Sequence, residues 1–338
     1  MKPIISVVVP CYNERETIGL LLEALCHQTF PHQDFEVIVA DGMSTDGTRQ
    51  AIIDFAERHP QPVIRLVDNP KGIIPSAINR GIEHASGELI VRLDAHSVPK
   101  SDYLERCYEV SQNVNVANVG GIWEIQTSEN SWIGRSIAVA AAHPLGAGDA
   151  RYRSGGEAGE VHTVPFGAFQ RRWIEKVGRF NESLLSNEDY EYNYRIRKAG
   201  GKIWFDPSIE SVYFARGNLL ALGRQYRRYG FWKAVMLIDN PDSLRWRQAI
   251  PALFVLGILC LALLTLWNPL FGTLLAAYLG IYIIITGIAG LIEAIRRSEL
   301  ALILGFPLSL WTMHLSWGGA FLWGMISRLP RRQRGSRT

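Results

Sequence analysis

Val37-Ile-Val-Ala-Asp41-Gly-Met-Ser-Thr-Asp46-Gly-Thr48 decides how the first half of the chain is read. A β-branched run ends in a carboxylate, a Gly/Ser/Thr/Asp turn follows, and a helical pattern begins near Arg49. A strand of this kind delivers an acidic residue to its carboxyl end, where open α/β sheets bind ligands. The device recurs nearby. Ile4–Val9 runs into Pro10-Cys-Tyr12-Asn-Glu14, and Leu89–Leu93 runs into Asp94-Ala-His96. Three such strand ends predict one crevice rich in carboxylates, with little of the glycine-rich phosphate chemistry of a dinucleotide site.

The pattern continues outward from this segment. Strands predicted at 4–9, 35–40, 62–67 and 88–93 alternate with helices from about Glu14, over 47–58 and over 74–85. The stripe Ile18, Leu21, Leu22, Leu25 has helical spacing. Such alternation predicts an α/β domain with a mainly parallel, twisted sheet and right-handed crossovers. Residues 101–215 are less regular, with short strands near 118–125 and 203–206 and a Gly155-Gly156 loop between them.

Beyond residue 216 the composition changes. The net charge of the 338-residue chain is only +3, yet Arg and Lys crowd residues 224–247 and 328–337. Residues 217–248 read as an amphipathic basic region whose arginines and aromatics suit an anionic membrane surface. Three uncharged stretches follow, 249–267, 270–292 and 300–326, the last with His314 as its one ionisable residue. Each is long enough for a hydrocarbon core, which takes about 20 helical residues. Trp246 and Trp267 bracket the first at roughly 31 Å, a spacing that suits an aromatic belt. Arginines at 245, 247, 296 and 297 place both ends of the first hairpin inside by the charge rule. The third stretch contains Gly305, Pro307, Gly318 and Gly319. It is therefore expected to be re-entrant or strongly kinked, keeping the basic tail 328–338 inside; the alternative is a plain third span with an external tail. Four cysteines without C-x-x-C spacing read as reduced thiols. The start Met1-Lys-Pro3 leads straight into a strand, so the first domain is expected in the cytoplasm.

Pro10–Glu14, Asp41–Thr48, Asp94-Ala-His96 and Asn187-Glu188-Asp189 stand in the order and spacing of the inverting family 2 glycosyltransferases. Asp-Gly-Met-Ser at Asp41, Asp-Ala-His and the trailing apolar spans resemble the succinoglycan-type glucosyltransferases within that family. The resemblance covers residues 4 to about 240. It implies a GT-A nucleotide-binding domain over 1–216, the interface helix over 217–248 and the membrane region over 249–327. It also implies a hexosyltransferase at the cytoplasmic membrane. Its donor would be a UDP-sugar, glucose first. Its acceptor would be a polyprenyl-pyrophosphate-linked saccharide of an exopolysaccharide. Membrane lipid is a further expected partner; nucleic acid is not. Alternatives stay open at this point: a polyprenyl-phosphate hexose synthase, a processive synthase that translocates its product, and a non-catalytic scaffold.

The resemblance also implies roles for single residues, and each has a plainer reading. Asp41 would read the uracil N3–H, with Tyr12 facing the base and Pro10 and Glu14 framing it; an Asx-turn residue is the plain alternative. Gly42 stands where relatives carry a second Asp. Asp94 and His96, alternate residues of an extended segment, would hold Mn²⁺ or Mg²⁺, with imidazole favouring Mn²⁺; alternatively Asp94 binds alone. Arg92 is expected to face away from this pair and to be structural. Asp189 would be the general base and Glu188 an assistant in orienting the acceptor; alternatively Ser186-x-x-Asp189 is a helix capping box. Lys71 would meet phosphate or merely be solvated. Phe166 and Gly167 would form an acceptor-side loop. Gln225, Arg228 and Tyr229 resemble Q-x-x-R-W, an acceptor or pyrophosphate contact at the membrane face, or else a headgroup site.

Overall fold

The computed structural model describes residues 2–112 and 116–335. Its strands are β1 (Ile5–Cys11), β2 (Phe35–Asp41), β3 (Val63–Asp68), β4 (Leu89–Arg92), β5 (Val98–Pro99), β6 (Val116–Thr127), β7 (Gly159–Val161), β8 (Ala168–Gln170) and β9 (Lys202–Ala215). The helices of the first half are α1 (Ile18–Cys26), α2 (Thr48–Arg58), α3 (Ile74–His84), α4 (Tyr103–Ser111), α5 (Trp132–Ala142), α6 (Pro144–Ala147) and α7 (Arg151–Ser154). Then follow α8 (Arg171–Val177), α9 (Glu188–Lys198), α10 (Leu219–Asp239), α11 (Trp246–Thr265), α12 (Pro269–Arg297) and α13 (Leu302–Gly335).

The sheet runs β3-β2-β1-β4-β8-β6-β9-β5, with β7 on β9. β1 pairs in parallel with β2 and β4, and β2 with β3. From β8 onward the recorded pairings are antiparallel. The expected parallel sheet is thus its first half, and the whole is mixed. Short-range periodicity could not foresee this, because β8 and β9 are brought in by long connections.

Side chains alternate across the strands, so each face gets its own core. Val7, Val9, Val37 and Val39 pack with Ile18, Leu21, Leu22 and Leu25 of α1 and Ile52 of α2. Val8 and Ile90 point the other way, onto Ile78 of α3, Ile174 of α8 and Tyr192 and Ile196 of α9. Burial on both faces explains the near-continuous hydrophobic runs of β1 and β2. It leaves the strand ends as the open edge where polar residues gather.

The chain divides into two compact units. One is Met1–Glu124 with Ala150–Tyr213; the other is Ile125–Asp149 with Phe214–Thr338. A single cut at residue 216 therefore misses residues 125–149. The cause is α5, whose apolar residues pack on α13 within the second unit.

In the second unit, α11 and α12 are long and apolar enough to cross a membrane, and only 11% of either apolar window is buried. Leu253, Leu259, Leu263, Ile284, Ile288 and Ile292 are exposed, and exposed apolar side chains in such number mark a protein or membrane contact. The third apolar stretch departs from expectation. α13 is one helix from Leu302 to Gly335. Gly305 and Gly318 are contact points instead of breaks, while Gly319 faces open space. A Cβ on Gly318 would stand 2.2 Å from the Pro251 carbonyl oxygen of α11, and one on Gly305 2.1 Å from Ser136 Oγ of α5. Small residues let helices approach this closely. Leu302, Phe306, Leu310 and Met313 are buried along one side of α13. Residues 336–338 of the basic tail lie outside the described residues.

Candidate active site

Two loops at the ends of β1 and β2 build one wall of the site. The register pairs Cys11 with Asp41 and Asp41 with Asp68, so three strand ends finish level. Asp41 is fully buried. Its carboxylate accepts from Ser44 N at 3.0 Å and pairs with Arg49 at 2.8 Å. Arg49 also reaches Asp68 at 2.8 Å, tying two strand ends together. Asn13 N donates to Ser44 Oγ, and Thr45 N donates to Asn13 Oδ1. Asp41 therefore satisfies its own loop, as the plainer reading expects, though through an N–H three residues on and not the two of an Asx turn. Tyr12, by contrast, is 55% exposed. Gly42 is explained by space. A Cβ there would stand 3.0 Å from Tyr12 Cδ2 and 3.3 Å from Gly72 Cα, so a second carboxylate requires Tyr12 and the Gly72 backbone to give way by a few tenths of an ångström.

The second wall is an acid cluster organised by Arg92. Arg92 is 5% exposed. Its Nη2 donates to Asp94 Oδ1 at 3.1 Å, and its Nη1 stands 3.1 Å from Glu188 Oε1. Far from facing away, it joins the β4 end to the start of α9. A charged residue in a buried strand needs an acidic partner, so the isolated Arg in Leu89-Ile-Val-Arg92 was the sequence signal for this link. Burial opposes the charge of Arg92, but Asp94, Glu188 and Asp189 together hold its pKa above the ordinary guanidinium value. Burial also pushes Glu188 up to about 7; Arg92 opposes this, while Asp189 and Asp94 reinforce it. One guanidinium cannot neutralise three carboxylates, so the cluster retains a proton near neutral pH.

Asp189 sits in the first turn of α9, where the helix dipole favours negative charge. Its Oδ1 accepts from Tyr190 N at 2.7 Å. The capping box does not form. The N-cap is Asn187, at φ +62° and with no side-chain cap. Asn13, Met43, Phe166 and Asn187 all take positive φ, and all four lie in the loops of this site. Such backbone strain concentrates where geometry serves function.

His96 Nδ1 lies 3.1 Å from Glu14 Oε1, and Thr17 donates to the other Glu14 oxygen. Burial works to raise Glu14, but these hydrogen bonds outweigh it and hold its pKa below the usual range. Pro10 ends β1 beside Ala40 of β2. Lys71 pairs with Glu182 at 2.6 Å, so the structure gives it a carboxylate partner. Phe166 is buried, its ring 5.4 Å from that of Trp123. The carbonyl of Gly167 accepts from Arg92 N at 2.9 Å, linking this loop to the acid cluster. Trp123 in turn stacks on Tyr213 at 4.2 Å and carries the Arg153 guanidinium at 5.2 Å; neither contact was legible in sequence. In the second unit, Gln225 donates to Tyr229 Oη at 2.9 Å, and Arg228 is exposed.

A GT-A-type α/β sheet, a carboxylate-rich crevice at its strand ends and an acidic helix start define a sugar-transferring enzyme. The family model for glycosyl transferase family 2 matches residues 6–178; the chain belongs to that family and is a glycosyltransferase. It is similar to the succinoglycan biosynthesis protein ExoA of Rhizobium meliloti (strain 1021), 32% identical over 72% of this chain and 73% of the relative. It is also similar to a dolichyl N-acetyl-α-D-glucosaminyl phosphate 3-β-D-2,3-diacetamido-2,3-dideoxy-β-D-glucuronosyltransferase of Methanococcus voltae, 28% identical over 95% and 97% of the two chains. Among solved structures, the mannosyltransferase PcManGT from Pyrobaculum calidifontis, in complex with GDP-Man and Mn²⁺, superposes with TM-score 0.62 at 22% identity. The superposition covers 96% of this chain and 88% of that one and shows the shared fold.

Proposed function

We propose that this protein is a membrane-anchored inverting hexosyltransferase at the cytoplasmic membrane. It would transfer a sugar, glucose first, from a UDP-sugar to a polyprenyl-pyrophosphate-linked saccharide during exopolysaccharide assembly. One observation carries the reading: Arg92 joins Asp94 of the Asp-Ala-His segment to Glu188, the neighbour of Asp189. Donor-side and acceptor-side carboxylates therefore share one anchor. Similarity to ExoA over most of both chains supports a role in exopolysaccharide assembly. The Methanococcus relative, whose name gives it a dolichyl-linked sugar phosphate as acceptor, supports a lipid-linked saccharide. The exposed apolar faces of α11 and α12 support the membrane anchor.

The donor set suits a divalent cation. Glu14 on His96 Nδ1 is the carboxylate–histidine pairing that orients a metal-binding imidazole through its other nitrogen. Asp94 supplies a hard oxygen. A cation at this site would take its remaining ligands from substrate phosphates. Asp94 and His96 would hold it, and when bound it would neutralise charge on the departing diphosphate.

The remaining chemistry belongs to the chain itself. Tyr12 offers a ring to the base. Asp189 accepts the proton of the acceptor hydroxyl as that oxygen attacks the anomeric carbon, a step worth about 10²–10⁴-fold. Glu188, its pKa pushed up to about 7, is about half protonated at neutrality; in that form it donates a hydrogen bond instead of adding a further negative charge beside the nucleophile. Arg92 holds these carboxylates in register.

The test is donor profiling with the full chain in detergent, presenting UDP- and GDP-sugars with Mn²⁺, Mg²⁺ or EDTA. Turnover of a UDP-hexose that EDTA abolishes and Mn²⁺ restores is expected. Equal turnover of GDP-sugars, or full activity in EDTA, sinks the donor or the metal assignment respectively.

A further inference from the structure

α13 runs unbroken from Leu302 to Gly335 within the second unit, and its faces differ. Leu302, Phe306, Leu310 and Met313 are buried. On another face Leu304 is 69% exposed, Leu315 46% and Ile326 67%. These three are spaced by eleven residues, close to three turns of an α-helix, so they form one stripe. Leu308, Gly319 and Leu322 fill the turns between them, and the stripe is apolar along its whole length of about 33 Å. The hydrocarbon of a bilayer is about 30 Å thick. Length alone therefore does not say whether α13 spans a membrane or lies on it.

Charge decides between the two. α10 lies beside α13 in the same direction: Gly223 stands against Thr312 and Ser316, Gly230 against the Trp317 backbone, and Ala234 against Gly324. Arg224, Arg227 and Arg228 of α10 are exposed. If α13 crossed, these arginines would ride level with Ser316 and Trp317, at the middle of the stripe and so of the bilayer. An exposed guanidinium is costly there. In a helix lying on the membrane the same arginines reach the headgroups. Arg135 pairs with Glu299 just before α13 begins, so charge also stands at the start of the stripe. The hairpin of α11 and α12 agrees. Pro307 lies against Gly290 of α12, and Gly318 against the Pro251 carbonyl of α11. Pro251 is five residues past Trp246, and Gly290 is seven before Arg297. Both contacts therefore stand about 8–10 Å from the charged base of the hairpin, far from its tip at Asn268. Between them α13 advances by about 16 Å without leaving that base.

We infer that α13 is a surface helix of the membrane, with Leu304, Leu315 and Ile326 in the acyl boundary and the arginines of α10 among the headgroups. The chain then crosses the membrane only at α11 and α12, and the basic tail 328–338 stays on the side of those arginines. The inference rests on the reading that α11 and α12 anchor the protein in a membrane, and it adds the surface on which the rest of the second unit sits. Lipid is the occupant of the stripe for two reasons. α13 packs on the hairpin whose apolar faces are exposed. Arginines also accompany the stripe, the pattern of helices that lie on anionic bilayers.

The experiment uses the full chain in liposomes, with Cys26→Ser and Cys260→Ala removing the two cysteines that are not buried. Leu304→Cys, Leu315→Cys and Ile326→Cys are made singly and labelled with a fluorophore. Leu259→Cys, within the apolar stretch of α11, is the depth reference. Spin-labelled lipids carry the quencher either near the headgroup or at the end of the acyl chain. All three α13 positions should be quenched alike, and at least about twofold more strongly by the shallow quencher, as burial to about 5–10 Å implies. The Leu259→Cys label should show the reverse order. In cells, a membrane-impermeant maleimide should treat Arg227→Cys and Thr338→Cys alike, before lysis and after it. Variants are compared only where thermal unfolding matches the parent chain.

Three results overturn the inference. One is a deep label at Leu315→Cys between shallow labels at Leu304→Cys and Ile326→Cys, the signature of a third span. Another is no quenching at all three while the Leu259→Cys label is quenched, which would mark a face covered by a second copy of the chain. The last is a maleimide that separates Thr338→Cys from Arg227→Cys. Each of these removes the surface helix and leaves the anchor in place. An unquenched label at Leu259→Cys would instead show that the anchor reading itself has failed.

Discussion

Two strand ends of the same sheet use carboxylates in opposite ways. At the end of β2, Asp41 is buried and satisfied by loop donors and Arg49, and the second carboxylate on Arg49, Asp68, is 57% exposed, so no buried negative charge is left over. At the end of β4, Asp94 shares one arginine with the buried Glu188, and Asp189 acts on both Arg92 and Glu188, so negative charge is in excess. A balanced cluster holds a shape. An unbalanced one holds protons and cations, and in this one Glu188 is pushed up to about 7. The contrast separates the part of the crevice that fixes loops from the part suited to chemistry.

The largest effect should come from the unbalanced side. Asp189→Asn should lower kcat by about 10²-fold or more while UDP affinity measured by calorimetry stays near the wild-type value. A variant that keeps most of its rate would favour a lipid-phosphate acceptor, whose nucleophile scarcely needs a base. Next comes the shared anchor. Arg92→Met leaves the carboxylates without their cation, and breaking a buried pair in this way costs about 3–5 kcal/mol. The loss should shrink in denaturation at pH 5, where the carboxylates can protonate. It should also shrink in the Arg92→Met/Glu188→Gln double variant, because neighbours in one cluster are not additive. Strict additivity would mean that Arg92 and Glu188 do not act together.

Glu188 gives the pH test. Its folded-state pKa is raised to about 7 from 4.5. The folded protein therefore binds the proton more tightly than the unfolded chain does. That contribution to stability is complete below about pH 4.5 and is lost as pH rises through 7. Glu188→Gln should flatten this decline and raise Tm at pH 8 by about 3 °C, what roughly 1 kcal/mol produces in a domain of this size. An unchanged pH profile would show that Glu188 is ionised throughout.

How much of this was legible depends on the range over which each signal acts. Strand ends at Asp41 and Asp94 were readable because β-branched runs followed by turn residues are local patterns. The mixed half of the sheet was not, because the pairing of β4 with β8 joins Leu89 to Gln170. Lys71 reads as a phosphate ligand until Glu182, 111 residues away, comes beside it. Arg92 departs from expectation for a different reason. Residues 92, 94 and 96 are two apart, so alternation puts their side chains on one face, and it gives no ground for Arg92 to point away from Asp94. Gly305 and Gly318 of α13 signal a break when read along one helix and a close contact when α5 and α11 are present.

The smallest expected effect tests the balanced side, at Gly42. A family aspartate would restore a carboxylate here, so charge and space make opposite forecasts. The structure argues for space. A Cβ would press on Tyr12 at 3.0 Å and on the Gly72 backbone at 3.3 Å. Tyr12 is half exposed and can swing away, but doing so moves its ring from the base; the Gly72 backbone can yield only slightly. Gly42→Ala adds the Cβ without charge, and Gly42→Asp adds both. If space decides, both variants weaken UDP by a similar factor, about fivefold or about 1 kcal/mol, the lower end of what one base-stacking contact is worth. Tyr12→Ala should then give a loss of the same size, and adding Gly42→Ala to it should cost little more, since the ring is already gone. If Gly42→Asp instead binds UDP more tightly than Gly42→Ala, the missing carboxylate was the deficit. The β2 end would then belong with the β4 end as a place where added charge does chemistry.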